Sequence, residues 1–152
     1  MKRLLSALAA ASVIAVMATS VALATHAIAG DNVAPNSNSH TLIAGNPTCG
    51  GDFALDFKIE AEDLGVGNYG PIDITAYNGK SVSWAINAAF LNTYDANVVI
   101  VKGGPNAISY SYTDNTDDAD TNLTAPRNFN GAQPKYYGIS HIQFCFDPKA
   151  AS

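Results

Sequence analysis

The loop Asp114-Asn115-Thr116-Asp117-Asp118-Ala119-Asp120-Thr121-Asn122 gathers four carboxylates within seven residues. Asp118, Asp120 and Asn122 repeat the every-other-residue oxygen spacing of calcium loops, in which about six to eight oxygens converge on the ion. With Asp114 and Asp117 they form a candidate calcium site, the sole cofactor the sequence brings to mind. Counted from Asp118, the sixth position is Leu123 where an EF-hand needs Gly, and the twelfth is Phe129 where it needs Glu. The competing reading is a solvated acidic loop that serves solubility. Asn122-Leu123-Thr124 also fits a glycosylation sequon.

His141 is the histidine of the region expected to fold. A catalytic triad would need a Ser or a free Cys beside it and an orienting acid. Ser140 is its neighbour in sequence and so points to the opposite face of a strand. No G-x-S-x-G, H-E-x-x-H or CxxC occurs, and Lys102-Gly103-Gly104 lacks the spacing of a phosphate loop. A hydrogen-bonded strand histidine is the plain reading, and no enzyme is expected. Tyr69, Tyr77, Tyr94, Tyr136 and Tyr137 lie in or near turns, where they could form a sugar platform or simply cap a core. Trp84 is expected inside. Cys49 and Cys145 are the two cysteines. Two lone cysteines make a poor zinc site, which normally takes four ligands. In an oxidising compartment they predict one disulfide.

The compartment follows from the first segment. Lys2 and Arg3 precede an uncharged apolar run from Leu4 to Ala24, and Ala27-Ile28-Ala29 is a small-x-small cleavage pattern. Residues 1–29 therefore predict a signal peptide. The alternative is an uncleaved anchor, since about 20 apolar residues span a bilayer. Cleavage removes two of the 8 basic residues and none of the 13 acidic ones, leaving a formal charge of −7. Such a chain repels nucleic acid and anionic membranes. Residues 30–47 read as a polar arm rich in Asn, Ser, Gly and Pro. Its apolar piece, Thr41-Leu42-Ile43-Ala44, has two expected placements: an edge strand on its own domain, or a strand added to a neighbour.

Residues 48–149 then read as one β-domain. Phe53, Leu55, Phe57 and Ile59 alternate with polar residues over the first clear strand. Asn78-Gly79 between two alternating runs predicts a type I′ hairpin, with Val82, Trp84 and Ile86 on the core face. Val98-Val99-Ile100-Val101 suits a buried strand. Ile108, Tyr110 and Tyr112 share one face of the next. Thr113 to Pro134 reads as a long polar loop. The last strand places Ile142, Phe144 and Phe146 on one face and His141, Gln143 and Cys145 on the other. Short strands with turn signals and no amphipathic helix predict an antiparallel β-sandwich, immunoglobulin-like or jelly-roll-like. Counting by twos puts Cys49 inward and Cys145 outward. Gly50-Gly51 would reset the phase, and the disulfide would clasp the rim, joining the first strand to the last.

Val99-Ile100-Val101-Lys102-Gly103-Gly104, Tyr110-Ser111-Tyr112 and Tyr137-Gly138-Ile139-Ser140-His141-Ile142-Gln143-Phe144-Cys145-Phe146 resemble a recurring module of exported bacterial and archaeal surface proteins. The resemblance runs from Val98 to Phe146, about half of the exported chain. It implies a secreted β-rich domain and a structural role for Cys145, and it implies no activity. The expected function is a secreted, non-enzymatic structural or adhesion domain of the cell surface. Alternatives are a filament subunit assembling through its arm and a module binding calcium or glycans. The expected partners are copies of itself, other extracellular proteins or glycans.

Overall fold

The computed structural model describes residues 34–112, 118–128 and 135–149. Its regular elements are strands: β1 (Ser39–Ala44), β2 (Leu55–Glu60), β3 (Gly67–Tyr69), β4 (Ile72–Tyr77), β5 (Ser81–Ile86), β6 (Tyr94–Gly103), β7 (Asn106–Ser111), β8 (Ala119–Thr124), β9 (Arg127–Asn128), β10 (Lys135–Tyr136) and β11 (His141–Pro148). An antiparallel sheet of five runs β1-β7-β6-β11-β2, a sheet of four runs β3-β4-β5-β8, and β9 pairs with β10. The fold is the expected antiparallel sandwich. Among the described residues no helix is long and apolar enough to cross a membrane.

Alternation in the sequence becomes rows in the core. Ile59, Ile142, Val101 and Ile108 sit side by side across β2, β11, β6 and β7, and Phe57, Phe144, Val99 and Tyr110 form the next row. Facing them from the other sheet are Ile72, Ile74, Val82, Trp84, Ile86 and Leu123, all in the same buried cluster. Trp84 is the largest of these. It meets Phe144 and Tyr112 edge-on, with ring centroids 5.5 Å away in each case, the geometry that the ring quadrupole favours.

The Asn78-Gly79 hairpin forms, with a different turn. Gly79 alone has positive φ, at 83°, and the Asn78 side chain accepts the amides of Lys80 and Ser81. Asn78 therefore works as a side-chain cap and does not take the left-handed conformation that a type I′ turn requires.

The stretch read as a polar loop contains β8, and this corrects the sequence reading. Its inward positions carry Asp120 and Thr124 as well as Leu123, so no hydrophobic period marks it. Two tyrosines from the opposite sheet make it bury. The Tyr110 hydroxyl donates to the Thr124 carbonyl and accepts the Thr124 amide, each at 2.9 Å. The Tyr112 hydroxyl donates to Asp120 Oδ2 at 3.0 Å. Burial pushes the Tyr110 phenol up to about 12, and it raises Tyr112 further still. Both shifts favour the protonated fold, so their stabilisation is intact below pH 10.0 and is lost as the pH rises above it. Each buried phenol should then remove about 1.4 kcal/mol per pH unit, because the unfolded chain ionises first. Urea midpoints measured from pH 9.5 upward should fall accordingly. Tyr110→Phe should flatten the fall while lowering stability at pH 7 by about 2–4 kcal/mol, since it orphans a buried N–H and C=O.

β1 and β2 are the two edge strands of the five-stranded sheet and run parallel. Residues 45–54 must therefore cross from one edge of the sheet to the other. Cys49 in this crossing is bonded to Cys145 of β11, with Cα atoms 5.5 Å apart. Together with Ile100 and Ala107, and with Phe53 and Val98 packed against them, the two cysteines form a second buried cluster. It is separate from the main core, and Cys145 points away from Phe144 and Phe146, as its parity requires.

The disulfide is thus no rim clasp. It fastens the crossing to an interior strand, on the face of the sheet turned away from the sandwich core. Gly50 has φ 78°, as a local reset needs. The phase break itself comes later, because Phe53 joins the disulfide cluster while Leu55 packs on the main core. A buried disulfide fits an oxidising environment.

Candidate functional site

The acidic loop does not converge on one point in its described part. Asp118 is 2.9 Å from Lys149 Nζ, which also lies 3.3 Å from Asp95. Asp120 turns inward, 1% exposed. Its Oδ1 accepts the amides of Thr121 at 2.7 Å and Asn36 at 3.2 Å. Burial raises its pKa, against those amides and the Tyr112 hydroxyl, which stabilise the ionised form. Asn122 is exposed with φ 57°, and its amide donates to Ser83 Oγ. Asp114 and Asp117 lie outside the described residues. Among the described residues no three His, Cys, Asp or Glu side chains are grouped to hold a metal ion. The carboxylates that can be followed serve the fold: Asp118 holds the end of β11 to β8, and Asp120 holds the N-terminal segment.

His141 lies on the sheet face that carries the disulfide, 6% exposed, in a row with Glu60 and Lys102. The next row holds Lys58, Gln143 and Ile100, and the one after it Asp56, Cys145 and Val98. Polar groups pair along the β2 side. Lys58 Nζ is 2.6 Å from Glu60, Gln143 Nε2 donates to Asp56 at 3.2 Å, and His141 Nδ1 stands 4.0 Å from Glu60. Burial lowers the His141 pKa, helped by Lys58 and Lys102 and opposed by Glu60. Ser140 donates its hydroxyl to the Lys102 carbonyl, so this serine is engaged with the backbone beside the ring. The rows form a ladder of sheet-face polar pairs.

The motif segments that carry the resemblance meet in space. Gly103 ends β6 against Ala125, Gly138 and Tyr137, where an added Cβ would fall 2.5 Å from Ala125 Cβ and 2.6 Å from the Gly138 carbonyl oxygen. Gly104, at φ 61°, lies under the Tyr137 ring, whose Cδ1 would be 2.6 Å from a Cβ there. The Ser140 amide donates to the Lys102 carbonyl, and the Ile139 amide to the Gly79 carbonyl. The Lys-Gly-Gly and Tyr-Gly-Ile-Ser stretches therefore form one interlocked joint. Sequence reasoning gives turn chemistry at Lys102-Gly103-Gly104 and misses this contact. A tyrosine beside a glycine, facing a glycine pair, was its sole trace.

The remaining tyrosines engage separate parts of the fold. Tyr69 donates its hydroxyl to the Asp63 carbonyl and accepts the Gly65 amide. Tyr94 packs on Phe90 and Phe146, Tyr77 leans on the main core, and Tyr136 lies under Arg127, 5.2 Å from ring centroid to guanidinium carbon.

Thr41, Leu42, Ile43 and Ala44 belong to β1, which pairs over its whole length with β7. Of the two placements open in the sequence, the structure contains the edge strand on its own domain. The second sheet does not cover β1, so Leu42 is 39% exposed although it faces the core side. Ahead of β1, Ala34 is buried, and its amide donates to the Thr121 carbonyl. Asn36 Nδ2 donates to the Ala119 carbonyl, and the Asn38 amide to the Ser111 carbonyl. Residues 34–44 thus cover two sheet edges, that of β8 and that of β7. Sequence reasoning takes 34–38 for tether, because nothing in Ala-Pro-Asn-Ser-Asn marks backbone bonds to a distant strand. Comparison with family models, curated proteins and solved structures finds no match for this chain.

Proposed function

We propose that the protein is a non-enzymatic structural or adhesion domain that works outside the cell, at its surface or in the surrounding matrix. The observation that carries this reading is the span of the disulfide, which joins residues 96 apart. Tension applied at the two ends of the domain passes from Cys49 directly to Cys145. The residues between them, including most of both sheets, are bypassed and cannot be drawn out. A domain that carries load between attached partners benefits from such a link. The signal peptide predicted over residues 1–29, the acidic composition and the resemblance to surface modules support the same reading.

Single-molecule pulling from both ends tests it. With the bond intact, unfolding should release a short length. After reduction the released length should grow by about 33 nm, the extended span of the bypassed chain. Fractionation of the producing cells should find the protein outside the cytoplasm. A hydrolytic activity that is lost in His141→Ala would overturn the reading.

A further inference from the structure

Residues 34–44 are held to the domain in an unusual manner. In β1, Ser39, His40, Thr41, Leu42 and Ala44 are exposed, and Ile43 is half-buried. The segment is retained chiefly by hydrogen bonds: the β7 ladder, the backbone bonds of Ala34 to Thr121 and of Asn38 to Ser111, and the bonds of Asn36, by its amide to the Asp120 carboxylate and by its side chain to the Ala119 carbonyl. Every one of these acceptors exists on any other copy of the chain. The link that follows is short and sharply bounded. Gly45, at φ 78°, still donates to the Pro105 carbonyl, and Cys49 is fixed to Cys145. Between them lie Asn46, Pro47 and Thr48. Proline holds the residue before it extended, so the link favours an open over a folded-back course.

We propose that residues 34–44 exchange between copies, with β1 of one molecule docking on the β7 edge of a second and residues 45–48 serving as the hinge. The contacts made are those already present in one molecule. The balance between closed and exchanged forms is therefore set by the hinge and by concentration. Reciprocal exchange gives a dimer, and one-way donation gives a chain. The hinge ends before Cys49, so the disulfide stays within each copy in either assembly. This deepens the structural reading by naming the partner, a second copy.

Thr41 lies opposite Ser109 across β1 and β7, and the native cysteines are both bonded. Protein carrying Thr41→Cys is mixed with protein carrying Ser109→Cys, concentrated, warmed and treated with a short thiol crosslinker. Opposed side chains lie about 5 Å apart, so exchange should give a covalent heterodimer about tenfold or more above a control pairing Ser109→Cys with exposed Thr75→Cys of the other sheet. In the double variant T41C/S109C, crosslinking should pass from within chains to between chains as concentration rises. Heterodimer at the control level, with purely intrachain crosslinks at every concentration, would overturn the exchange. It would leave the reduction-dependent pulling length untouched, so failure here is separable from failure of the structural reading.

Discussion

Reducing Cys49–Cys145, or replacing both cysteines with alanine, is expected to lower the melting temperature by about 15 °C or more. The bond closes a loop of 96 residues, which corresponds to roughly 4.5 kcal/mol of denatured-state entropy. Its place in the fold adds to that. Residues 45–54 cross one face of the sheet with the disulfide cluster beneath them, and Phe53 and Val98 pack on that cluster. Without the bond, Cys145 (0% exposed) and Ile100 (3%) rely on a crossing whose ends are held by the bonds of Gly45 to the Pro105 carbonyl and of Ala54 to the Phe146 carbonyl. Thermal melts of oxidised, reduced and double-alanine protein check this. A fall under about 5 °C would mean that the crossing stays down unaided.

Gly103→Ala should be as damaging, from a single methyl group. Its Cβ would arrive 2.5 Å from Ala125 Cβ and 2.6 Å from a backbone oxygen of Gly138, and neither can swing aside. Overpacking against backbone costs about 3 kcal/mol or more, so the variant should unfold at much lower urea or fail to accumulate. Gly51→Ala is the matched control, since nothing lies within 4 Å of its Cβ position and its φ is not positive. It should change the urea midpoint little. Equal effects from the two substitutions would show that the joint between Gly103 and Gly138 is looser than its geometry indicates.

The strands that bury one hydrophobic face were legible in the sequence. Alternation found β2, β4, β5, β7 and β11, and the valine run found β6, because a period of two has a direct physical cause in the pleat. β8 was hidden for the opposite reason. Its burial depends on Asp120 and Thr124 finding Tyr112 and Tyr110, partners on a different strand and a different sheet. The described carboxylates of the candidate cation loop show the same dependence: Asp120 and Asp118 are neighbours in sequence, and the fold gives them to Tyr112 and Lys149. Side-chain parity placed Cys145 on the correct face, but no local pattern shows that β11 is interior to its sheet or that residues 45–54 lie over it.

The position of β11 bears also on the order in which the molecule can be made. β11, the last of the described strands, lies between β6 and β2, so until it arrives β2 has no neighbour in its sheet. The β3-β4-β5 meander can form early, from contacts close in sequence. The five-stranded sheet and the covalent link at Cys145 must wait for β11. A chain delivered amino end first therefore stays open until β11 is delivered and then closes in one long-range step. Folding governed by such distant pairings is slow, and a chain of this topology remains threadable until β11 emerges.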